Sequence, residues 1–246
     1  MTISLGQSAT PNDMRIYAIG DVHGYLNLLK SIHEKIQTDL KDIGNKQYRI
    51  VYLGDYIDRG PDSAGCAQFL IDLLSKDENV ICLKGNHEDK LENFLADPQD
   101  LADSFFGYGG IECAMSYSVD NAILSNAHKN AVEVCTELKE KIPSEHKRFY
   151  ANLTKSVTFG DYFFSHAGVR PGVSLDKQSD DDLMWIRAEF ISNEALYDKV
   201  IVHGHTPAYP MEILPNRINV DTCAYDTGVL SCLVLEGTSY KVIEAT

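Results

Sequence analysis

No run of apolar residues in this sequence approaches the roughly 20 that a membrane helix needs. The first thirteen residues, MTISLGQSATPND, lack both a basic start and an apolar stretch of signal-peptide length. No two of the six cysteines form a C-x-x-C pair; Cys66, Cys82, Cys113, Cys135, Cys223 and Cys232 are scattered. That spacing argues against a disulfide or thiolate-zinc framework and for free thiols in a reducing cytoplasm, where the chain is placed. Bases are scarce: 22 Lys and Arg stand against 36 Asp and Glu, a net charge of −14. Such a surface repels a phosphate backbone, so nucleic acid is not an expected partner, and nothing points to a membrane. An anionic substrate would need a local positive centre. Internal repeats, low-complexity linkers and sharp composition changes are also missing. One domain over 14–246 is therefore expected, behind a flexible tail at 1–13. Nothing assigns an oligomeric state, and a monomer suffices.

What is present is ordinary in bulk, 44% apolar and 24% charged, and informative in order. Short apolar runs at 14–19, 49–53 and 80–83 alternate with helical spacing at 25–36, 63–74 and 87–95. Three such alternations predict an α/β fold with parallel strands. The middle, about 99–153, is different. It contains FFGYGG at 105–110, read as a turn, and helical stretches near 126–140 and 144–153, a cap-like segment. From Val157 the pattern turns β-rich, with strands at 157–159, 161–165, 199–202, 217–220, 229–235 and 239–243, and a hairpin turn at Gly160-Asp161.

The chemistry collects where the strands end. GDVHG puts Asp21 and His23 two residues apart, on one side if strand geometry persists. GDYIDRG carries Asp55, Asp58 and Arg59; GNHE carries Asn86 and His87; SHAG carries His166; HGH carries His205. Ligands gather at strand ends in open α/β sheets, and carboxylates there are costly to bury unless something binds them. Asp, His and Asn without thiolate suit manganese, iron or zinc. They are too many for one ion and enough for two, spaced roughly 3.5–4 Å apart.

These motifs, in this order, resemble the signature set of the calcineurin-like metallophosphoesterases. They are most similar to the phosphoprotein phosphatase branch, which includes bacterial and phage serine/threonine phosphatases. GDxxDRG alone has a chance frequency of roughly one in a million per position. The resemblance implies two mixed sheets sandwiched between helices, four layers α-β-β-α, with the metal site at strand ends. It implies two divalent ions, manganese first, with Zn²⁺, Fe²⁺/Fe³⁺, Mg²⁺ or Ni²⁺ as alternatives. Asp21, His23, Asp55, Asn86, His166 and His205 would be the ligands, Asp55 bridging. His87 would be the general acid, with Asp58 orienting it and raising its pKa. Arg59 and Arg187, the latter in MWIRAEF, would grip phosphate oxygens with Asn86. Attack would be direct, by a hydroxide the two ions share, with no phosphoenzyme.

The expected activity is hydrolysis of phosphomonoesters, on phosphoserine, phosphothreonine or phosphotyrosine of protein substrates. The alternative is a symmetric dinucleoside tetraphosphate hydrolase or a small-molecule phosphatase; Asp58-Arg59 and Glu88 favour the first. A non-catalytic scaffold would have lost ligands, and none is lost. Lys84 stands where many relatives carry Arg and is expected to supply charge. His203 reads as structural with a possible site role, and Asp221 as a buried hydrogen-bonding group. Cys223 replaces a glycine, which puts the backbone shape there in question. Phe105, Phe106 and Tyr108 either pack the cap or face a substrate ring. His33, His128 and His146, on helices away from the motifs, read as solvated.

Overall fold

A computed structural model of the chain describes residues 2–246; Met1, part of the expected tail, lies outside the described residues. The first half alternates strand and helix: β1 (Met14–Ile19), α1 (Leu26–Leu40), β2 (Gln47–Tyr52), α2 (Ser63–Lys76), β3 (Val80–Cys82) and α3 (Asn86–Ala96). A helical insert follows, α4 (Pro98–Phe105), α5 (Ile111–Ser116), α6 (Asn121–Leu124), α7 (Ala131–Lys141) and α8 (Ser144–Ala151). Then come β4 (Ser156–Phe159), β5 (Tyr162–Ser165), α9 (Asp180–Trp185), α10 (Ala188–Ile191) and β6 (Val200–His203). The chain closes with β7 (Glu212–Ile213), β8 (Arg217–Asn219), α11 (Ala224–Thr227), β9 (Leu230–Glu236) and β10 (Ser239–Ala245).

The strands are apolar on both faces because both faces are covered. In β1, Tyr17 and Ile19 enter a core shared with α1, α2, α3 and the insert. Ile16 and Ala18, on the alternate side, meet Tyr162, Phe164, Val200, Val202 and Ile218 of the second sheet. β2 and β9 repeat the alternation, with Val51, Leu233 and Leu235 turned to the inter-sheet layer. The outer face of the second sheet is closed by Phe163 and Ile201 against Leu183, Ile186 and Phe190 of the α9–α10 region. Two sheets, ordered β10-β9-β1-β2-β3 and β4-β5-β6-β8-β7, thus lie between helices. Each mixes parallel and antiparallel pairs: β1–β2, β2–β3, β5–β6 and β6–β8 are parallel. Because β1, β2, β3, β5 and β6 run in parallel sets, the loops following them open at one edge of the sandwich. No helix among the described residues is long and apolar enough to cross a membrane. All six cysteines are free thiols, five of them buried.

Several sequence expectations need correction. Residues 2–13 are packed: Ile3 N donates to Tyr197 O, Leu5 N to Pro215 O and Asp161 N to Ala9 O, while Ser8 and Thr10 are buried. Ile3 and Leu5 lie against the inter-sheet layer, so apolar contact holds a segment whose composition reads as loose. The helix expected from 126 begins at Ala131, because the Asn130 side chain donates to Ile123 O and closes a separate turn after α6. His146 is buried between Tyr117 Oη (2.8 Å) and Gln68 Oε1 (3.0 Å). His33 is half-buried against Tyr52 Oη at 2.9 Å, and only His128 of the three is exposed, beside Asp103. The FFGYGG segment splits by role: Phe105 and Phe106 pack on Phe94, whereas Tyr108 is exposed. Gly109, at φ +99°, presents its carbonyl to Arg59 N at 3.2 Å. A Cβ there would lie 2.2 Å from that nitrogen, so a residue with a side chain could not sit this close.

Candidate metal centre

The loops after β1, β2, β3, β5 and β6 bring Asp21, His23, Asp55, Asn86, His87, His166 and His205 together, all buried. Holding them there strains the chain. Of eight non-glycine residues with positive φ among the described residues, six are His23, Asp55, Asp58, Arg59, His205 and Cys223. Each costs on the order of 1–3 kcal/mol and persists only where its surroundings over-determine it. Glu88 is part of that determination. Its fully buried carboxylate accepts from Asp55 N (3.0 Å), Tyr56 N (2.7 Å) and Gly85 N (2.9 Å), binding the loop after β2 to the start of α3. His87 N donates to Asp55 Oδ1 at 3.0 Å and sets the carboxylate's orientation.

Backbone carbonyls then decide which face of each imidazole is free. His23 Nδ1 lies 3.0 Å from Ile57 O, and His166 Nδ1 lies 3.0 Å from Leu53 O. A carbonyl only accepts, so both Nδ1 atoms donate and both Nε2 atoms face inward. They flank the two oxygens of one carboxylate: His23 Nε2 is 3.7 Å from Asp55 Oδ2, and His166 Nε2 is 3.4 Å from Asp55 Oδ1. His166 Nε2 also lies 3.0 Å from Asn86 Oδ1 and 3.2 Å from His205 Nδ1, while His205 Nε2 is buried without a partner. Two groups result, His23–Asp55–His87 and Asp55–His166–His205, each with ligand atoms within 4.8 Å of one another. Asp21 lies alongside, accepting from His205 N at 3.1 Å.

The charges show that this set fits cations. Burial, reinforced by Asp221 and Asp55, pushes the Asp21 carboxyl well above the usual range. Burial pushes Glu88 up to about 8 and Asp221 up to about 6. Burial pushes His23 down to about 3 and His205 to about 2, leaving neutral imidazoles with lone pairs to give. Burial acts against a charge on His166 too, but the Asp55 carboxylate outweighs it and holds His166 above its ordinary value. Nitrogen and oxygen donors crowded around one carboxylate, without thiolate, suit a pair of divalent ions.

The metal-free protein should therefore lose stability as pH rises from about 6.5 to about 8. Glu88 and His166 bind their protons more tightly folded than unfolded, so folding takes up protons in that window. His23, His33, His87, His146, His203 and His205, pushed down by burial, act in the opposite sense, mostly below pH 6.5 and fading by about pH 7.5, while the raised carboxyls of Asp21 and Asp58 add to the fall. Thermal melts in chelator should give a lower midpoint at pH 8 than at pH 6.5; a higher one would contradict this account.

His87 Nδ1 and Asp58 Oδ2 are 2.6 Å apart. Asp58 was expected to raise the pKa of His87, but here burial prevails. It pushes His87 down to about 3, against the pull of Asp55, and, together with the Asp55 charge, pushes Asp58 well above the carboxylate range. Both shifts favour the uncharged forms of the pair. Arg59 stacks its guanidinium on Tyr225, 4.2 Å from the ring centroid. Arg59, Arg187, Tyr225 and Asp221 line a cavity of about 200 Å³ that reaches His23, Asp55, His87 and His205.

Lys84 does not meet the expectation that it charges this cleft: its ammonium is paired with Glu92, with Asp89 at 3.8 Å. His203 turns away, its ring against Phe190 and its Nδ1 on Gly204 O. Asp221 Oδ1 accepts from Cys223 N at 2.9 Å. Cys223 keeps the left-handed backbone, φ +59°, that a glycine would adopt without cost. Sequence reasoning missed Tyr225, Lys90 and Trp185 as cleft residues. Lys90 had a signal, since it stands four residues after Asn86 on one helix face, and so did Trp185, two residues before Arg187 in MWIRAEF; Tyr225 had none.

The family described as calcineurin-like phosphoesterase matches residues 14–233. The asymmetrical bis(5'-nucleosyl)-tetraphosphatase PrpE of Oceanobacillus iheyensis is 28% identical over 228 residues, 85% of this chain and 84% of that one. Serine/threonine-protein phosphatase 1 of Salmonella typhimurium is 32% identical over 77 residues, 31% of each. Two crystal structures share the fold. One is described as a candidate diadenosine tetraphosphatase (TM-score 0.65, 17% identity, 97% of this chain and 99% of the other). The second is the cold-active protein-tyrosine phosphatase of a Shewanella species (TM-score 0.55, 16% identity, 97% and 83%). With its motifs in family order on two sheets flanked by helices, the chain belongs to the calcineurin-like phosphoesterase family.

Proposed function

We propose that the chain hydrolyses the phosphoanhydride chain of dinucleoside polyphosphates at two divalent ions. Asp21, His23, Asp55, Asn86, His166 and His205 would hold them, manganese being the first candidate. The observation that carries this reading is the extent of likeness. The bis(5'-nucleosyl)-tetraphosphatases of Oceanobacillus iheyensis and Bacillus mycoides align over 84% and 90% of their own length, whereas the serine/threonine phosphatase aligns over 31%. When bound, the ions would supply a water of lowered pKa and neutralise phosphate charge. The rest falls to side chains. Arg59, fixed on Tyr225, and Arg187 face the same cavity as Asp55 and hold phosphate oxygens. In the neutral dyad Asp58 lends its proton to His87 Nδ1, so Nε2 carries the proton that faces the cleft. As water oxygen bonds to phosphorus and releases a proton to solvent, the bridging P–O bond breaks, Nε2–H protonates the departing oxygen and Asp58 replenishes the ring; a proton from solvent then restores Asp58.

The second reading, a phosphomonoesterase acting on phosphoproteins, is favoured by that dyad, because an alkoxide needs a proton more than a nucleotide phosphate does. The test is a panel run on protein stripped by chelator and refilled with Mn²⁺, Zn²⁺ or Mg²⁺. The expected result is that kcat/KM for a dinucleoside tetraphosphate exceeds that for phosphoserine and phosphotyrosine peptides by roughly tenfold or more, about 1.4 kcal/mol. The reverse order would transfer the site to the second reading.

A further inference from the structure

We infer that the cavity adjoining the candidate metal centre is a subsite for a second phosphoryl group, with Lys90 as its cation and specificity residue. This rests on the reading of the cleft as a polyphosphate-hydrolysing site and names how the substrate beyond the scissile phosphorus is held. Lys90 lies on α3 one turn beyond Asn86 and His87, which places it on their face of the helix. It is only 7% exposed, and a lysine so buried is ordinarily paired. Three other buried or half-buried cations are paired with carboxylates: Lys84 with Glu92, Arg217 with Glu212, Arg15 with Asp39 and Glu236. Lys90 has no carboxylate within ion-pair distance among the described residues. Its ammonium sits 3.7 Å from the Tyr108 ring centroid and 5.2 Å from that of Trp185.

The ammonium lines a cavity of about 200 Å³ together with Ser104, Tyr108 and Trp185. That cavity shares Arg59, His87, Arg187 and His205 with the one over the candidate ligands, so the two adjoin. A single phosphoryl group gripped by Arg59 and Arg187 leaves Lys90 without an anion. A phosphoanhydride chain extends the anion to it. The aromatic walls are placed for the group beyond: Trp185 Nε1 donates to Asp89 Oδ2 at 3.2 Å, which holds the indole in place, and Tyr108 is 52% exposed. Such faces stack nucleobases without sequence preference.

The experiment compares inorganic pyrophosphate with orthophosphate as inhibitors of p-nitrophenyl phosphate hydrolysis by the manganese-loaded protein, free Mn²⁺ held constant. Calorimetric binding of the same two anions serves as the second readout. In Lys90→Met the ratio of pyrophosphate to orthophosphate affinity should fall roughly tenfold, the scale of one charge-assisted contact, and Lys90→Arg should restore it. Lys90→Gln provides a second neutral variant if the methionine protein folds poorly. A ratio that stays at the wild-type value in both neutral variants, or both anions weakened equally, would overturn the proposal and leave Lys90 as a counter-charge for Asp55. Wild-type protein that prefers pyrophosphate yet cleaves no dinucleoside polyphosphate would instead sink the proposed activity and leave this subsite standing.

Discussion

Asp55→Asn should leave a folded protein that retains fewer than two equivalents of metal and loses at least roughly a thousandfold in turnover. The size follows from the several kcal/mol of charge stabilisation that a metal pair supplies, at about 1.4 kcal/mol per decade. Asp55 is singled out because its two oxygens face different histidines, His23 on one side and His166 on the other. An amide offers a single, uncharged oxygen and a repelling NH₂. The amide is nearly isosteric, and the backbone N–H of Asp55 still has Glu88 to bond, so the fold should survive. Metal content by mass spectrometry and kcat on one substrate check the outcome together. A variant that keeps both ions while losing activity would remove Asp55 as the bridge and leave it an electrostatic role.

His87→Asn should cost roughly 10²–10⁴-fold in kcat on a substrate with an alkoxide leaving group, the range for loss of a positioned acid. The loss should shrink for p-nitrophenyl phosphate, whose leaving anion is already stable. The graded loss is what separates the two roles open to this residue. His87 Nε2 also lies 3.8 Å from Asp55 Oδ2, in one of the two groups able to hold an ion. As a ligand, its replacement would lower metal content and depress all substrates alike. As an acid, it would leave metal content unchanged and steepen the dependence on leaving-group basicity. Asp58→Asn should reproduce the slope more weakly, since it removes the partner at 2.6 Å and not the donor itself.

Much of this architecture was legible in the chain. The short apolar runs at β1 and β2 are apolar on both faces because two cores use them, and the Asp, His and Asn motifs follow strands in a fixed order. Helix ends were less legible, since the break before Ala131 depends on one Asn130 side chain. The direction of a long side chain was not legible at all. Lys84 and Lys90 sit six residues apart around the same motif; one turns to Glu92 and the other into the cleft. No local pattern distinguishes them, because the outcome depends on which carboxylates and rings other segments bring near. Residues 2–13 show the same dependence, reading as loose and held by partners at Asp161, Tyr197 and Pro215.

The sequence by itself determined which strands would be buried twice over and which ligand types would stand at their ends, because side-chain alternation and donor chemistry are local properties. Only the tertiary structure decided that Asp55 would lie between two histidines, that burial would favour the uncharged forms of Asp58 and His87, and that Lys90 would lack a carboxylate within ion-pair distance among the described residues. Those are properties of distance and desolvation, and both arise only when loops distant in the chain close on one another.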